Sequence, residues 1–137
     1  MKAASLKPPI QRTRKLVLVV DDDPSMLKVI GRTLKLHGFD TESFNSVEDF
    51  EKHANLREAA CLVLDINLNG KSGIDLRRRI AMSGISIPAV FITANDNPKV
   101  RKAANDADCS AFLVKPFPVK SLIDAIAKAT PEPGRPD

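Results

Sequence analysis

Leu16-Val17-Leu18-Val19-Val20-Asp21-Asp22-Asp23-Pro24 is the stretch on which the reading of this chain turns. Five apolar residues in unbroken succession lack the alternation of a strand with one wet face. They describe a strand buried on both sides, as in a parallel sheet covered by helices. Three carboxylates then follow without a gap. Asp23 offers an N-cap and Pro24 suits a first helical position, so a helix begins here and runs to about His37, where Gly38 stops it. Asp23 thus has an ordinary structural explanation; Asp21 and Asp22 do not.

Working outward, the same alternation repeats. Phe39 to Phe44 carries enough polar residues for an edge strand, and Ser46-Val47-Glu48-Asp49 opens a helix in the manner of a capping box. Cys61–Leu64 reads as a buried strand, followed by a loop rich in Asn and Gly and a helix from about Ile74 to Met82. Ala89–Ile92 and Ala111–Val114 read as strands, with helices over roughly Pro98–Ala107 and Val119–Ala129; Val119, Leu122, Ile123 and Ile126 share one face of the last. Five strands, each followed by a helix, predict a three-layer α/β sandwich with right-handed crossovers.

Length and composition agree. A chain of 137 residues has room for one domain with a real core. No apolar run reaches the ~20 residues needed to cross a bilayer, so no membrane segment is expected, and the start lacks the apolar stretch of a secretory signal. Two cysteines, Cys61 and Cys109, are too few for a disulfide scaffold and suit a reducing cytoplasm. The net charge of +4 is local: residues 1–15 hold five basic side chains and no acid, whereas residues 16–129 hold 15 of each. We expect a flexible basic leader over 1–15, a folded domain over 16–129 and a disordered tail over 130–137. With no Trp, no Tyr and no aromatic residue beside the basic ones, nucleic acid is not an expected partner.

In an open α/β sheet, ligands bind at the carboxyl ends of the strands. After the first strand stand Asp21, Asp22 and Asp23. Asp65 follows the third, with Asn67 two positions on; Thr93 follows the fourth and Lys115-Pro116 the fifth. Crowded carboxylates repel unless a cation or protons neutralise them, and hard oxygen donors favour Mg²⁺ bridging carboxylates to phosphate oxygens. A carboxylate can attack phosphorus and hold the group as an acyl phosphate, while a metal, an ammonium and a hydroxyl stabilise the charge spread over the phosphoryl oxygens.

The segments Val19-Val20-Asp21-Asp22, Leu64-Asp65 with Gly73 eight positions later, Ile92-Thr93-Ala94 and Lys115-Pro116-Phe117 resemble the receiver domains of two-component response regulators, over about residues 15–130. The resemblance implies a flavodoxin-like (CheY-like) sheet of order 2-1-3-4-5. It implies Asp65 as acceptor of a phosphoryl group from a histidine kinase or phosphotransfer protein, and Mg²⁺ held by Asp22, Asp65 and the backbone carbonyl of Asn67, with Asp21 supporting the metal. Thr93 would bond one phosphoryl oxygen and Lys115 another, behind a cis Lys115–Pro116 bond. Thr93 and Phe112 would form the switch, and Asn67 and Asn95 would flank the path of hydrolytic water. Three departures stand out: Asn69-Gly70, read as a turn, where the family has a Pro; Phe112 where Tyr is common; and Asp108 where a Gly often ends the fourth helix.

Taken singly, each site residue has a plain structural alternative: Asp65 a cap or turn residue, Thr93 and Lys115 solvated surface. It is their joint placement that points to chemistry. Arg77-Arg78-Arg79 reads as a solvated helix face. On the first helix Leu27, Ile30 and Leu34 form a core stripe and Met26, Val29 and Leu36 a second; the resemblance implies that Met26, Val29 and Phe117 rim the surface where the kinase docks. A haloacid-dehalogenase-type phosphatase would want its nucleophile after the first strand, and a pure interaction module would have shed site residues. The residues after the last helix leave no space for an output domain. The expected output is therefore a changed surface read by another protein, a phosphorylation-dependent dimer, or a relay role as shuttle or sink, unless the chain is a fragment of a larger regulator.

Overall fold

The structure is a computed structural model that describes residues 14–130. Five long strands, β1 (Leu16–Val20), β2 (Asp40–Phe44), β3 (Ala59–Asp65), β6 (Ala89–Thr93) and β7 (Ala111–Val114), alternate with α1 (Pro24–Leu36), α2 (Val47–His53), α3 (Gly73–Met82), α4 (Pro98–Asp106) and α5 (Val119–Ala129). All pairings between the long strands are parallel, in the order β2-β1-β3-β6-β7. Counting long strands alone, this is the expected 2-1-3-4-5.

The unbroken apolar strands divide their side chains between two cores, as the two-residue period requires. Leu18, Val20, Leu62, Leu64 and Phe91 meet Phe50 of α2, Leu76 and Ile80 of α3 and Ala104 of α4. Val17, Val19, Val63 and Ile92 meet Ile30 and Leu34 of α1 and Leu122 and Ile126 of α5. Helix starts are fixed where the sequence placed them: Asp23 accepts from the Ser25 N–H at 2.9 Å and Ser46 from the Asp49 N–H at 3.0 Å.

Several details differ from the sequence reading. β3 begins at Ala59, two residues early. The Asn/Gly-rich loop holds a short antiparallel ladder, β4 (Asn67–Leu68) with β5 (Lys71–Ser72). Asn69 and Gly70 turn between them with φ of 52° and 82°, the left-handed pair that a two-residue hairpin turn demands. Asp108 has φ of 61°, one residue past the α4 cap, and its N–H reaches the Asn105 carbonyl at 3.1 Å. The position thus calls for a left-handed residue, which Gly fills at no steric cost and Asp tolerates; this accounts for the departure at Asp108.

The solvated-face reading of Arg77 is wrong. Arg78 and Arg79 pair with Asp75 and Glu51 at the surface, but Arg77 is 5% exposed and its Nε has no hydrogen-bond partner. Positions 73, 74, 77 and 80 follow the helical repeat of α3's buried face, which carries Arg77 inward with it. On α1, Ile30 and Leu34 are buried while Leu27 is half-buried. Val119 of α5 is exposed, although Leu122 and Ile126 are buried as expected.

Arg14 donates to the Lys35 carbonyl at 2.9 Å and the Lys15 ammonium to the Thr130 carbonyl, so the two ends of the described chain are fastened to the domain. The remainder of the expected leader and tail, 1–13 and 131–137, lies outside the described residues. Among the described residues no helix is long and apolar enough to cross a membrane.

Candidate functional site

Sheet register assembles the site. Val20 of β1 pairs with Leu64 of β3, and Asp65 with Ile92 of β6, so Asp21, Asp65 and Thr93 end three neighbouring strands. Thr93 pairs with Val114 of β7, and the next residue, Lys115, donates its backbone N–H to the Thr93 carbonyl at 2.7 Å. The Lys115–Pro116 bond is cis. A cleft of about 750 Å³ opens above these ends, lined by Asp22, Asp65, Asn67, Thr93, Asn95 and Lys115 among others.

Lys115 is the hub. Its Nζ lies 2.9 Å from Asp21 Oδ2 and 2.9 Å from Asp65 Oδ2. The second oxygen of each carboxylate accepts a backbone N–H: Asp21 Oδ1 from Asp23 at 2.9 Å, and Asp65 Oδ1 from Asn67 at 3.0 Å. Asp22 Oδ2 accepts the Asn69 N–H at 3.2 Å. One oxygen from each of Asp21, Asp22 and Asp65 lies within 4.8 Å of the others.

Electrostatics leave this cluster short of positive charge. Asp21 is 0% exposed and Asp65 is 5% exposed. Burial pushes the Asp21 carboxyl above its ordinary range and the Asp65 charge adds to the rise, against hydrogen bonds from the Asp23 N–H and Lys115. Burial works to lower Lys115, but its hydrogen bonds to Asp65 and Asp21 outweigh it, and the ammonium is held above its ordinary value. One ammonium faces three carboxylates, an imbalance that a second, compact cation would correct.

Thr93 is 1% exposed, and its Oγ1 accepts the Asn95 N–H at 3.0 Å. Phe112 sits on β7, half-buried against the α2–α3–α4 core, with the Arg101 guanidinium 4.7 Å from its ring centroid. Met26 and Phe117 are half-buried at the margin of the α1–α5 core, and Val29 is 52% exposed.

Sequence reasoning missed the part played by four residues. Asn69 contributes through its backbone N–H, which a Pro would lack. Gly73 packs so closely that a Cβ there would stand 2.2 Å from the Asp65 carbonyl oxygen; its motif spacing was noticed, its steric reason was not. Arg101 and Asp96 left no signal, because their contacts run between α4, its preceding loop and β7.

Residues 17–127 match the family described as the response regulator receiver domain. Nodulation protein W of Bradyrhizobium diazoefficiens is 33% identical over 118 residues, 86% of this chain and 52% of that protein. The response regulator protein TodT of Pseudomonas putida is 29% identical over 114 residues, 83% and 50% of the two chains. The chain therefore spans about half the length of the curated relatives it matches. Among solved structures, the response regulator StyR superposes with a TM-score of 0.78 at 36% identity, covering 86% of this chain and 60% of that one. The non-phosphorylated HemR receiver domain of Leptospira biflexa reaches 0.80 at 22% identity, covering 90% and 99%; that likeness bears on the fold alone. The match begins inside β1 and ends inside α5, and so takes in all of the sheet but Leu16 and every strand end that lines the cleft: the chain belongs to the family of response regulator receiver domains.

Proposed function

We propose that Asp65 accepts a phosphoryl group from the phosphohistidine of a sensor histidine kinase or phosphotransfer protein, in a Mg²⁺-dependent reaction, and that the modified domain, residues 16–129, signals through changed protein–protein contacts. The observation that carries this reading is the placement of the Lys115 ammonium against Asp65 and Asp21, with Asp22 completing a three-carboxylate cluster.

The donor set fits Mg²⁺: hard carboxylate oxygens close enough to share one ion, at the mouth of a cleft that leaves space for water and a phosphoryl group. Asp22, Asp65 and the Asn67 carbonyl would hold it, with Asp21 in support. When bound, the ion neutralises charge on the phosphoryl oxygens. A carboxylate oxygen of Asp65 attacks phosphorus, the bond from phosphorus to the histidine nitrogen breaks, and the imidazole leaves with the electron pair and takes a proton. Lys115 moves from pairing two carboxylates to pairing one phosphoryl oxygen. Thr93 turns its hydroxyl hydrogen from the Asn95 carbonyl to another oxygen, and Phe112 follows as the second half of the switch. Asn67 and Asn95 flank the approach of hydrolytic water.

Met26, Val29 and Phe117 form the docking surface for the phosphodonor, resting on one exposed and two half-buried apolar side chains beside the site. Charged residues at 26 and 117 should slow transfer from a protein donor and leave transfer from a small donor intact. The two unpaired thiols, Cys61 and Cys109, suit a reducing compartment such as the cytoplasm.

The test is mass spectrometry after incubation with a small phosphodonor and Mg²⁺. A single adduct on Asp65, absent in Asp65→Asn and absent in EDTA, is the expected result. An adduct on Asp21 would instead indicate a phosphatase-like nucleophile, and no adduct would indicate an interaction module.

A further inference from the structure

We infer that Asp96 and Arg101 form a clasp that positions Phe112 in the resting state and ties it to the loop that carries Thr93. The inference rests on the phosphorylation reading above and adds the residues by which its switch is held.

The Arg101 guanidinium makes two contacts at once. In its plane, Nε and Nη2 donate to Asp96 Oδ1 and Oδ2 at 2.6 and 3.2 Å. Its central carbon lies over the Phe112 ring, 4.7 Å from the centroid. A planar fork is suited to this double use, and the point charge of a Lys is not. Phe112 has no hydroxyl, so no hydrogen bond of its own fixes the ring; the cation above it supplies the restraint. Asp96 and Arg101 are both well exposed, and the Asp96 carboxyl is held below its ordinary range by the Arg101 hydrogen bond, so the clasp remains ionised at any pH near neutrality.

The contacts also form a continuous path from the site. Thr93 Oγ1 accepts the Asn95 N–H. Asp96 is the next residue, and Asn97 caps α4 by accepting the Val100 N–H at 2.9 Å. Asp96 is therefore set between an anchor at the site and an anchor on the helix. When the Thr93 hydroxyl turns to donate to a phosphoryl oxygen it gives up the Asn95 carbonyl, to which it donates at 3.4 Å; the loop shifts, Asp96 draws Arg101 off the ring, and Phe112 is free to turn. The same step exposes a cation and alters an aromatic contact on the α4–β7 surface, which a partner could read.

A cation–ring contact at the protein surface biases an equilibrium by about 2–5-fold. Removing the charge should therefore raise the population of the activated arrangement by that factor without any phosphoryl group, because only the differential stability of two states moves the balance between them.

The experiment uses the full chain labelled with 4-fluorophenylalanine, with the Phe112 resonance assigned by Phe112→Leu. It is recorded for wild type, Arg101→Gln, Asp96→Asn and the double variant during titration with beryllofluoride and Mg²⁺. In wild type the Phe112 resonance should move on titration. In Arg101→Gln it should begin part-way along that path, with a midpoint 2–5-fold lower. Asp96→Asn should give part of this effect, and the double variant no more than Arg101→Gln alone. A resting resonance and midpoint in Arg101→Gln equal to wild type would overturn the clasp while leaving the phosphoacceptor reading intact. A wild-type protein whose resonances ignore beryllofluoride would overturn the phosphoacceptor reading itself, and the clasp with it. Urea midpoints within experimental error of wild type would exclude general loosening, since both side chains lie at the surface.

Discussion

Replacing Lys115 with Met tests the charge balance of the site most directly. The side chains are of similar length, so the ammonium is lost and little packing with it. What remains is Asp21 at 0% exposure and Asp65 at 5%, with Asp22 close by and no cation among them. Removing one partner of a buried ion pair costs about 3–5 kcal/mol. The Lys115 side chain is 18% exposed and the cleft admits water, so the lower figure, about 3 kcal/mol, is appropriate for the variant in EDTA. Mg²⁺ should then act in the opposite sense. In wild type the ammonium repels the incoming ion: charges of two and one roughly 5 Å apart in a water-like medium oppose each other by about 1.7 kcal/mol, on the order of tenfold in affinity. The variant should bind Mg²⁺ more tightly by that factor and recover most of its lost stability when the ion is supplied, since ligand at 100 times its Kd adds about 2.7 kcal/mol. Urea denaturation in EDTA and across a Mg²⁺ series reads both effects, and phosphorylation from a small donor should slow in the same variant. Equal stability of the two proteins in EDTA, together with an equal response to Mg²⁺, would show that Lys115 is not engaged by these carboxylates, and the site as described would be wrong.

Gly73→Ala places a Cβ 2.2 Å from the Asp65 carbonyl oxygen; relief of roughly 1 Å must come from backbone, so a loss of about 3 kcal/mol in urea denaturation and about a 100-fold slower phosphorylation are expected, and a variant of near wild-type stability would refute the close approach. Arg77→Met removes a buried donor without a partner, worth about 1 kcal/mol of added stability, seen as a thermal midpoint about 4 °C higher; a lower midpoint would mean that Arg77 is satisfied. Burial pushes the Cys61 thiol from 9.0 to about 12. A group raised in the folded state lends stability that is whole below its unfolded value and drains away as pH climbs towards the folded one. Stability should thus fall by up to about 4 kcal/mol between those limits, and Cys61→Ala should flatten the decline seen by denaturation at pH 8 and 10.5; parallel slopes would contradict it.

How much of this was legible beforehand follows from which signals are local. β1, β3 and β6 announce themselves as apolar runs because both their faces are covered, and Asp23-Pro24 and Ser46 mark helix starts because capping is a contact between near neighbours in sequence. Asp21, Asp22, Asp65, Thr93 and Lys115 could be gathered from the sequence because parallel topology sends every strand end to one edge. The β4–β5 ladder was not legible as strands, since two residues a side carry no periodicity, although its Asn69-Gly70 turn was. Arg77 was misread because three arginines in a row look like a wet surface, when the spacing from Gly73 and Ile74 to Ile80 places the first of them on the buried face. The hold of the Asn69 N–H on Asp22 and the seat of Arg101 over Phe112 are contacts across elements, which no window along the chain contains.

The same geometry explains why a stable α/β sheet keeps an unsettled edge. The strands bury enough apolar surface on two faces to tolerate acids at their ends, and burial holds the Asp21 carboxyl above its ordinary range even beside the Lys115 ammonium. A protein selected for stability alone would place a hydroxyl or an amide there, satisfied by the same backbone donors. Here three carboxylates stand around one ammonium that bonds two of them, so the resting site is balanced only in part, and a divalent cation or a phosphoryl group bound as proposed would shift that balance by more than thermal energy. Because Lys115 follows β7 and Thr93 ends β6, any movement of either is imposed on the two strands farthest from β2, and on the loop and helix between them. Coupling to that side of the molecule then requires no long path: Lys115 follows β7, the strand that carries Phe112, Thr93 ends the adjoining β6, and Asp96 and Arg101 link the loop after β6 to that ring.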